Sequence, residues 1–303
     1  MITANNLVKT YGKHREILAV NNVSFSVKKG EIFGLIGPDG SGKTSIFRIL
    51  TTLLLPESGS ATVEGFDVIK DYKQIRNTVG YMPGKFSLYQ DLSVEENLNF
   101  FATVFETTVQ KNYDLIKDIY VQLEPFKKRR AGKLSGGMKQ KLALCCALIH
   151  KPTVLFLDEP TTGVDPVSRK EFREMLKRLQ AQGITILVST PYMDEASLCD
   201  RIALIQTGKI LSIDKPANIS SSFPDRIFAV KAKPMSGLLK ALSKLPDAVT
   251  SYAFGEYAHL VIKKEQPDFE NNLKKYLENE GLENVVIKQI QASIEDCFIK
   301  LLK

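Results

Sequence analysis

The feature that most constrains the fold is a glycine-rich segment of eight residues, Gly37-Pro38-Asp39-Gly40-Ser41-Gly42-Lys43-Thr44. The short apolar run Glu31–Ile36 precedes it, and Ser45–Leu54 follows with helical periodicity. Strand, glycine loop and helix in this order are typical of a phosphate-binding loop, because backbone N–H groups and the helix N-terminus point at the same anion. Lys43 is predicted to bridge the β and γ phosphates of a nucleotide, and Thr44 to ligate Mg²⁺.

A second signal is the apolar strand Thr153–Leu157, which ends in the two carboxylates Asp158 and Glu159. A buried strand would deliver Asp158 to the metal shell beside Thr44, while Glu159 at the strand's exit would polarise an attacking water. Two acids after a strand can also simply cap the next element, and this motif alone leaves that alternative open.

Composition and charge are those of a folded globular chain. Hydrophobic residues make up 44% and charged residues 25%, close to the averages for such proteins. The net charge of +7 has its clearest cluster at Lys127-Lys128-Arg129-Arg130 with Lys133, which fits a solvated face or a site facing acidic lipid or a partner. Aromatic residues do not alternate with these cations, so the sequence does not predict a nucleic-acid partner.

Neither the amino terminus nor any internal run predicts an exported or membrane-spanning chain. The start, MITANNLVKTYGK, lacks a basic stretch followed by an apolar core. The longest apolar run, Leu142–Ile149, is far shorter than the ~20 residues that cross a bilayer. The four cysteines show no CxxC spacing and are expected to be buried in a reducing cytosol. We therefore expect a cytoplasmic location, with any membrane role depending on a partner chain.

Hydrophobic periodicity divides the chain into two predicted domains, residues 1–220 and 223–303. Residues 1–30 alternate like strands of an antiparallel layer, and the segment from about 86 to 135 is expected to be an inserted helical subdomain with a capping box at Ser93–Glu96. Strands and helices then alternate, which predicts a parallel α/β core. The order βαββαβ in the second domain suggests a small α+β fold of ferredoxin-like type.

A third motif, Leu134-Ser135-Gly136-Gly137-Met138, opens a helix 23 residues before Asp158. With GPDGSGKT, VLFLDEP and the GVDP turn at Gly163–Pro166, in this order, it makes the chain resemble the nucleotide-binding subunit of ATP-binding-cassette transporters. The resemblance covers roughly residues 1–215. It implies an α/β P-loop NTPase cassette with an antiparallel β subdomain and an inserted helical subdomain.

The resemblance also implies roles for particular residues. The family's Ser-Gly-Gly sequence, here starting at Ser135, caps the γ-phosphate bound by the opposing subunit, so that two chains close over two nucleotides. Tyr11 is expected to stack on adenine, and Asp165 to align the two subunits. The implied ATP-binding residues are Tyr11, Gly37, Pro38, Asp39, Gly40, Ser41, Gly42, Lys43, Thr44, Ser45, Ser135, Gly136, Gly137 and Asp165. The implied Mg²⁺ ligands are Thr44 and Asp158, and the implied catalytic residues are Glu159 and Lys43.

The implied function is binding and hydrolysis of MgATP by a homo- or heterodimer that powers transport, with export favoured, through separate transmembrane permease subunits. The helical insert, with Lys85–Tyr89 just before it, is the expected docking surface. The second domain resembles the carboxy-terminal domain of drug-resistance-type exporter ATPases, mainly through Ile294–Phe298. Two alternatives stay open: a soluble ATP-dependent switch on ribosomes or DNA, and a weakly hydrolytic regulatory module.

Two positions depart from the family pattern. The family places a glutamine about 40 residues past the phosphate-binding loop and a histidine after the strand that follows the catalytic glutamate; here these positions hold Gly84 and Pro191. Gln90 is not taken as a substitute, and no histidine lies in the second segment. Because both side chains contact phosphate or water in the family, their loss predicts slow turnover or a site adapted to binding and dimer closure.

Overall fold

The structure is a computed structural model that describes residues 1–263 and 268–302. It divides into two compact units, Met1–Pro216 and Ala217–Lys303. In chain order, the strands and helices of the first unit are β1 (Ile2–Tyr11), β2 (Ile17–Val27), β3 (Ile32–Ile36), α1 (Lys43–Leu50), β4 (Ser58–Val63), β5 (Phe66–Asp67), α2 (Tyr72–Thr78), β6 (Val79–Met82), α3 (Val94–Val104), α4 (Tyr113–Tyr120), α5 (Gly136–Leu148), β7 (Val154–Asp158), α6 (Pro166–Ala181), β8 (Thr185–Thr190), β9 (Arg201–Gln206) and β10 (Lys209–Asp214).

The central sheet of the first unit has six strands in the order β10-β9-β3-β8-β7-β6. Neighbouring strands run parallel except for β10, which pairs antiparallel with β9. Every residue of β3, β7 and β8 is buried, as expected for a parallel sheet covered on both faces. The predicted parallel core is confirmed. The loops after β3, β7 and β8 lie at the carboxyl edge of this sheet, where open α/β folds bind ligands.

An antiparallel sheet of order β2-β1-β4-β5 forms the layer predicted from residues 1–30. Aromatic contacts join it and α1 to the central sheet within one apolar core. Phe25 of β2 stacks on Phe33 of β3 with ring centroids 5.5 Å apart, and Phe47 of α1 meets Phe156 of β7 edge to face at 5.9 Å. The helix that follows the glycine loop is therefore held between the two sheets.

The helical segment between β6 and α5 contains α3, α4 and three short 3₁₀ helices, at Gln110–Asn112, Glu124–Phe126 and Ala131–Lys133. Ser93 caps α3. Its hydroxyl accepts a hydrogen bond from the Glu96 N–H at 3.2 Å, and the Glu96 carboxylate accepts one from the Ser93 N–H at 2.7 Å. This reciprocal pair satisfies two otherwise unpaired donors of the helix start, and it confirms the predicted capping box.

Two predicted helices differ from the structure. The helix predicted over Ser45–Leu54 begins earlier and ends at Leu50. Thr52 has a left-handed φ of 64°, and the N–H groups of the next two residues both turn back to the Arg48 carbonyl, which ends the helix as a C-cap does. The segment predicted as a helix from Asp194 to Cys199 is the 3₁₀ helix Met193–Leu198.

The second unit is a four-stranded antiparallel sheet with helices. Its elements are α7 (Pro216–Ser221), which begins at the division, β11 (Arg226–Lys233), α8 (Met235–Ser243), β12 (Ala248–Phe254), β13 (Tyr257–Ile262), α9 (Phe269–Asn279), β14 (Glu283–Ile290) and α10 (Ile294–Leu301). The strand order is β12-β13-β11-β14. Apolar side chains of α8 and α9 pack with the sheet in one core. Position 267, where the sequence places the start of α9, lies outside the described residues. The ferredoxin-like assignment stays a prediction.

Candidate nucleotide-binding site

The side chain of Lys43 folds back over the glycine loop that precedes it. Its ammonium group donates to the carbonyls of Gly37 at 2.8 Å and Pro38 at 3.0 Å, and it lies 3.3 Å from Oε1 of Glu159. Lys43 is only 3% exposed. A buried ammonium needs such partners because burial without them would be costly. The loop, the helix start and the end of β7 thus converge on one cation.

A cavity of about 330 Å³ lies over the same loop, and its walls are Ala19, Glu159 and the run Asp39–Ser45. Gly42 shapes it. Its φ is 103°, and a Cβ there would come within 2.2 Å of the Ala19 carbonyl oxygen, so only glycine fits this close approach to β2. The predicted loop residues from Asp39 to Ser45 are therefore brought together around one space.

The donors in this cavity fit a phosphate group. The Ser41 hydroxyl is buried and has no hydrogen-bond partner among the described residues, which is unusual for a buried polar atom. Backbone N–H groups at the start of α1 have no intrahelical partner, and the helix dipole favours an anion there. With the Lys43 ammonium, this donor set matches the oxygens of a phosphate chain.

Tyr11 lies at the end of β1, beside the first turn of α1. Its hydroxyl and the Ser45 hydroxyl are 3.0 Å apart, and the Lys9 ammonium lies 5.9 Å from the centre of its ring. The structure therefore places the residue expected to stack on adenine next to the loop, although it does not line the cavity itself. The strand pairing of β1 with β2 holds it there.

Asp158, at the carboxyl end of β7, is 2% exposed and is fixed by the neighbouring strand. The Ser189 hydroxyl of β8 donates to Oδ1 of Asp158 at 2.6 Å and accepts from the backbone N–H of Glu159 at 3.0 Å. Glu159 has a left-handed φ of 51°, an uncommon conformation for a residue with a side chain. This turn places the Glu159 carboxylate in the cavity wall beside Lys43.

Thr44, the other predicted metal ligand, lines the cavity. Within residues 1–263 and 268–302, no group of three or more histidine, cysteine, aspartate or glutamate side chains could hold a metal ion. A metal that arrives with a nucleotide needs fewer protein ligands, because phosphate oxygens and water complete the shell. The oxygens of Thr44 and Asp158 are of the type that Mg²⁺ prefers.

Gly84 lies against the end of β7. A Cβ at this position would be 3.0 Å from the Asp158 carbonyl oxygen and 3.7 Å from the Cβ of Glu159. Pro191 follows β8, one residue beyond the strand's end. Tyr81 lies in β6, the strand that leads to Gly84 and pairs with β7. Burial raises the pKa of its hydroxyl to about 12, and the charge of Asp158 adds to that rise. Gly84 thus lies beside the end of β7, which leads to both acids, and Pro191 follows the adjacent strand β8.

The Ser135-Gly136-Gly137 motif is not part of the cavity over the glycine loop. Ser135 caps α5 and accepts from the Met138 N–H at 3.3 Å. Gly137 borders a separate small cavity with Thr161 and Val164. The motif therefore lies beside the turn that leads to α6, away from the loop cavity of its own chain.

Asp165 caps α6 in this structure. Its Oδ1 accepts hydrogen bonds from the N–H groups of Val167 at 3.1 Å and Ser168 at 3.0 Å. These bonds, with that to Ser168 the largest, hold the pKa of the Asp165 carboxyl below its usual range. The family resemblance implies a role for Asp165 in subunit alignment, and the structure shows a local role in starting the helix.

An apolar groove of about 440 Å³ lies between the central sheet and the helical segment. Its lining includes Leu88, Phe101 and His150. Phe105 stacks on the His150 ring with centroids 3.8 Å apart, and burial lowers the pKa of this histidine. Sequence reasoning singled out the neighbouring Lys85–Tyr89 but missed His150, whose approach to the groove depends on tertiary packing.

In the described part of the chain, no helix is both long and apolar enough to span a membrane.

Comparisons with known proteins show the family to which the chain is similar. The family model described as ABC transporter matches residues 20–162. The Escherichia coli protein "Probable multidrug ABC transporter ATP-binding protein YbhF" is 40% identical over the whole of this chain, which covers 52% of YbhF. The Bacillus subtilis protein "Linearmycin resistance ATP-binding protein LnrL" is 36% identical over 73% of this chain and 71% of LnrL. The chain thus spans about half the length of YbhF.

Among solved structures, a dimeric post-hydrolysis state of the ATP-binding cassette MJ0796 bound to ADP and Pi superposes with a TM-score of 0.64 and 25% identity. The match covers 71% of this chain and 98% of that one. A second dimeric structure of MJ0796, described as a bacterial ABC transporter cassette, gives a TM-score of 0.65 and 26% identity over the same shares.

Proposed function

The chain belongs to the ATP-binding proteins of ABC transporters, and on that premise we propose that it binds and hydrolyses MgATP to power export through separate membrane subunits. One observation carries the proposal: Lys43, the helix start after the glycine loop and the Glu159 carboxylate face the same cavity. We take these groups as the phosphate-binding donors and the general base for water, and their adjacency supports the proposal.

Each residue of the site has a proposed part in the reaction. The N–H groups at the start of α1, the Ser41 hydroxyl and the Lys43 ammonium bind the phosphate chain, while Thr44 and Asp158 hold Mg²⁺. Bound Mg²⁺ would supply positive charge against the phosphate oxygens. Glu159 accepts a proton from the attacking water or polarises it.

We assign Ser135, Gly136 and Gly137 to the nucleotide of a second subunit. Their position outside the loop cavity of their own chain supports this assignment, as does the dimeric form of the MJ0796 cassettes. A helix N-terminus with a serine cap is suited to a phosphate that approaches from another chain. The partner is a second ATP-binding subunit, identical or different.

The apolar groove beside the helical segment is the proposed contact with a transmembrane permease subunit, at the cytoplasmic face of the membrane. Tyr89, next to this groove, is 51% exposed and meets Phe100 edge to face at 4.8 Å. Exposed aromatic side chains beside an apolar groove are typical of protein interfaces. The names of the relatives YbhF and LnrL, which refer to multidrug transport and to resistance, support export over a switch on ribosomes or DNA.

Slow turnover is part of the proposal, because Gly84 and Pro191 supply no side-chain donor where the family has glutamine and histidine. The same two positions favour a second candidate, a regulatory module that binds ATP and hydrolyses it weakly.

Nucleotide turnover with and without the co-expressed membrane protein tests these candidates. A transport ATPase should hydrolyse ATP in a Lys43-dependent manner and faster in the complex. ATP binding with no turnover in either form would support the regulatory module, and absence of ATP binding would exclude both.

A further inference from the structure

Ser189 is a buried hydroxyl that the sequence motifs do not single out. It is the fifth residue of β8, is 0% exposed and lies opposite Asp158 in the parallel pairing of β7 with β8. Its hydroxyl donates a hydrogen bond to Oδ1 of Asp158 at 2.6 Å and accepts one from the backbone N–H of Glu159 at 3.0 Å. One side chain thus contacts both the proposed metal ligand and the proposed general base.

The bond to Asp158 fixes one carboxylate oxygen. A charge-assisted O–H···O⁻ bond at 2.6 Å is in the short, strong range. Because Asp158 is buried, water cannot easily replace the hydroxyl in this bond. Because Oδ1 is held by Ser189, the carboxylate keeps one orientation and its other oxygen stays available to a metal. A ligand that is already oriented loses less entropy on binding.

The bond to Glu159 supports a strained backbone. The N–H of Glu159 donates to the carbonyl of Ser189 at 3.1 Å as well as to its hydroxyl. Residues with side chains keep a left-handed φ only where surrounding contacts hold them in it. The two acceptors of Ser189 help to hold the turn that brings the Glu159 carboxylate to the loop cavity.

We propose that Ser189 is a positioning residue for the MgATP site, which orients Asp158 toward Mg²⁺ and holds the turn of Glu159. The inference rests on the proposed ATP-binding function. It assigns Ser189 no contact with nucleotide; Ser189 acts through the two acids.

Ser189→Ala removes the hydroxyl and little volume. Thr185→Ala is the matched control, because Thr185 lies at the other end of the same strand, is 1% exposed, and its hydroxyl accepts from the Gly30 N–H at 3.0 Å. Both variants lose one buried hydroxyl from β8. Only Ser189→Ala removes a contact to the acids.

The test measures binding of Mn²⁺, as a spectroscopic substitute for Mg²⁺, by electron paramagnetic resonance in the presence of a non-hydrolysable ATP analogue. Thermal unfolding reports the folding of each variant. Loss of a hydrogen bond to a charged group changes an equilibrium constant about tenfold. Ser189→Ala should therefore raise the metal concentration at half-saturation about tenfold. Analogue binding without metal should stay unchanged, and Thr185→Ala should leave the metal dependence near that of the wild type.

An unchanged metal dependence in folded Ser189→Ala, or an equal shift in both variants, would overturn the positioning role while leaving the ATP site intact. If the wild-type chain failed to bind the analogue at all, the proposed function itself would fail and the inference with it. Measuring the wild type first therefore separates the two failures.

Discussion

The Lys43 ammonium lies 3.3 Å from Oε1 of Glu159, and the two side chains are 3% and 22% exposed. This pair joins the helix that follows the glycine loop to the exit of β7, two elements that are far apart in the chain. A partly buried ion pair of this kind is stronger than one at the surface, because water screens it less. The proposed phosphate-binding cation and the proposed general base are therefore adjacent.

Lys43→Ala should weaken MgATP binding on the order of 100-fold, because it removes the charged donor aimed at the phosphates. It should also leave Glu159 without its partner. Equilibrium titration with labelled nucleotide measures the affinity. Lys141→Ala is the control, because Lys141 pairs with Glu171 at 2.7 Å between two other helices. Equal affinity of the Lys43 variant and this control would contradict the assignment of the loop.

Features with a local cause could be predicted from the sequence. The capping box needs only Ser93 and Glu96, three residues apart, and the glycine loop needs only its own spacing between a strand and a helix. The order of strands and helices in the second unit, and in the first unit from α5 to β8, follows from apolar periodicity in the same way. Such features depend on neighbours along the chain, which the sequence states directly.

Other features depend on distances that no local pattern encodes. The approach of Gly84 to the Asp158 carbonyl joins residues that are distant in the chain, and so does the bond from Ser189 to Asp158. The end of α1 was predicted wrongly as well. It depends on a left-handed backbone conformation at Thr52, which is rare for a residue with a branched side chain. Tertiary packing decides each of these.

Gly84→Gln tests whether the missing amide limits turnover. The same substitution also adds a Cβ in a crowded place. The new Cβ would lie 3.0 Å from the Asp158 carbonyl oxygen, so the loop after β6 or the end of β7 must shift by a few tenths of an ångström. Gly84→Ala carries the same Cβ without the amide and should slow hydrolysis modestly. The ratio of the two rates, measured in steady-state ATPase assays, should favour glutamine. A glutamine variant no faster than the alanine variant would rule out a role for the amide.

Pro191→His should raise turnover, because it supplies a donor where the family binds the γ-phosphate. A single positioned donor in well-studied sites contributes very roughly 10²-fold or more, although here the loop must accept the change. The nearby Tyr192 ring, covered by the Arg169 guanidinium at 4.2 Å, should hold the loop in place. Pro191→Ala is the control that removes proline without adding a donor. Equal ATPase rates for the two variants would mean that other groups perform this role.

Asp296 should make the stability of the second unit depend on acid pH. Burial alone would raise its pKa, but hydrogen bonds from His259, Ser293 and Tyr252 outweigh burial and lower the pKa from 3.8 to about 2. A lowered folded-state pKa stabilises the fold above the unfolded value, so about 2 kcal/mol should be lost as the pH falls from about 4 toward about 2.

Asp296→Asn should remove most of this acid dependence and destabilise the unit near neutral pH. Urea unfolding followed by pulsed hydrogen exchange of β13 measures both effects. Glu295→Gln is the matched control, since Glu295 is exposed in the same first turn of α10. An acid transition as large in Asp296→Asn as in the wild type would show that another group titrates.

The central claim is that two cassettes close over ATP, each supplying Ser135 to the other. Light scattering of the Glu159→Gln variant tests it most directly, because that change keeps the binding donors while removing the general base. With ATP and Mg²⁺ the variant should become a dimer of twice 33.9 kDa, and Ser135→Arg in the same background should keep it monomeric. A variant that binds ATP and Mg²⁺ yet stays a monomer, both alone and with a co-expressed second ATP-binding subunit, would contradict the account.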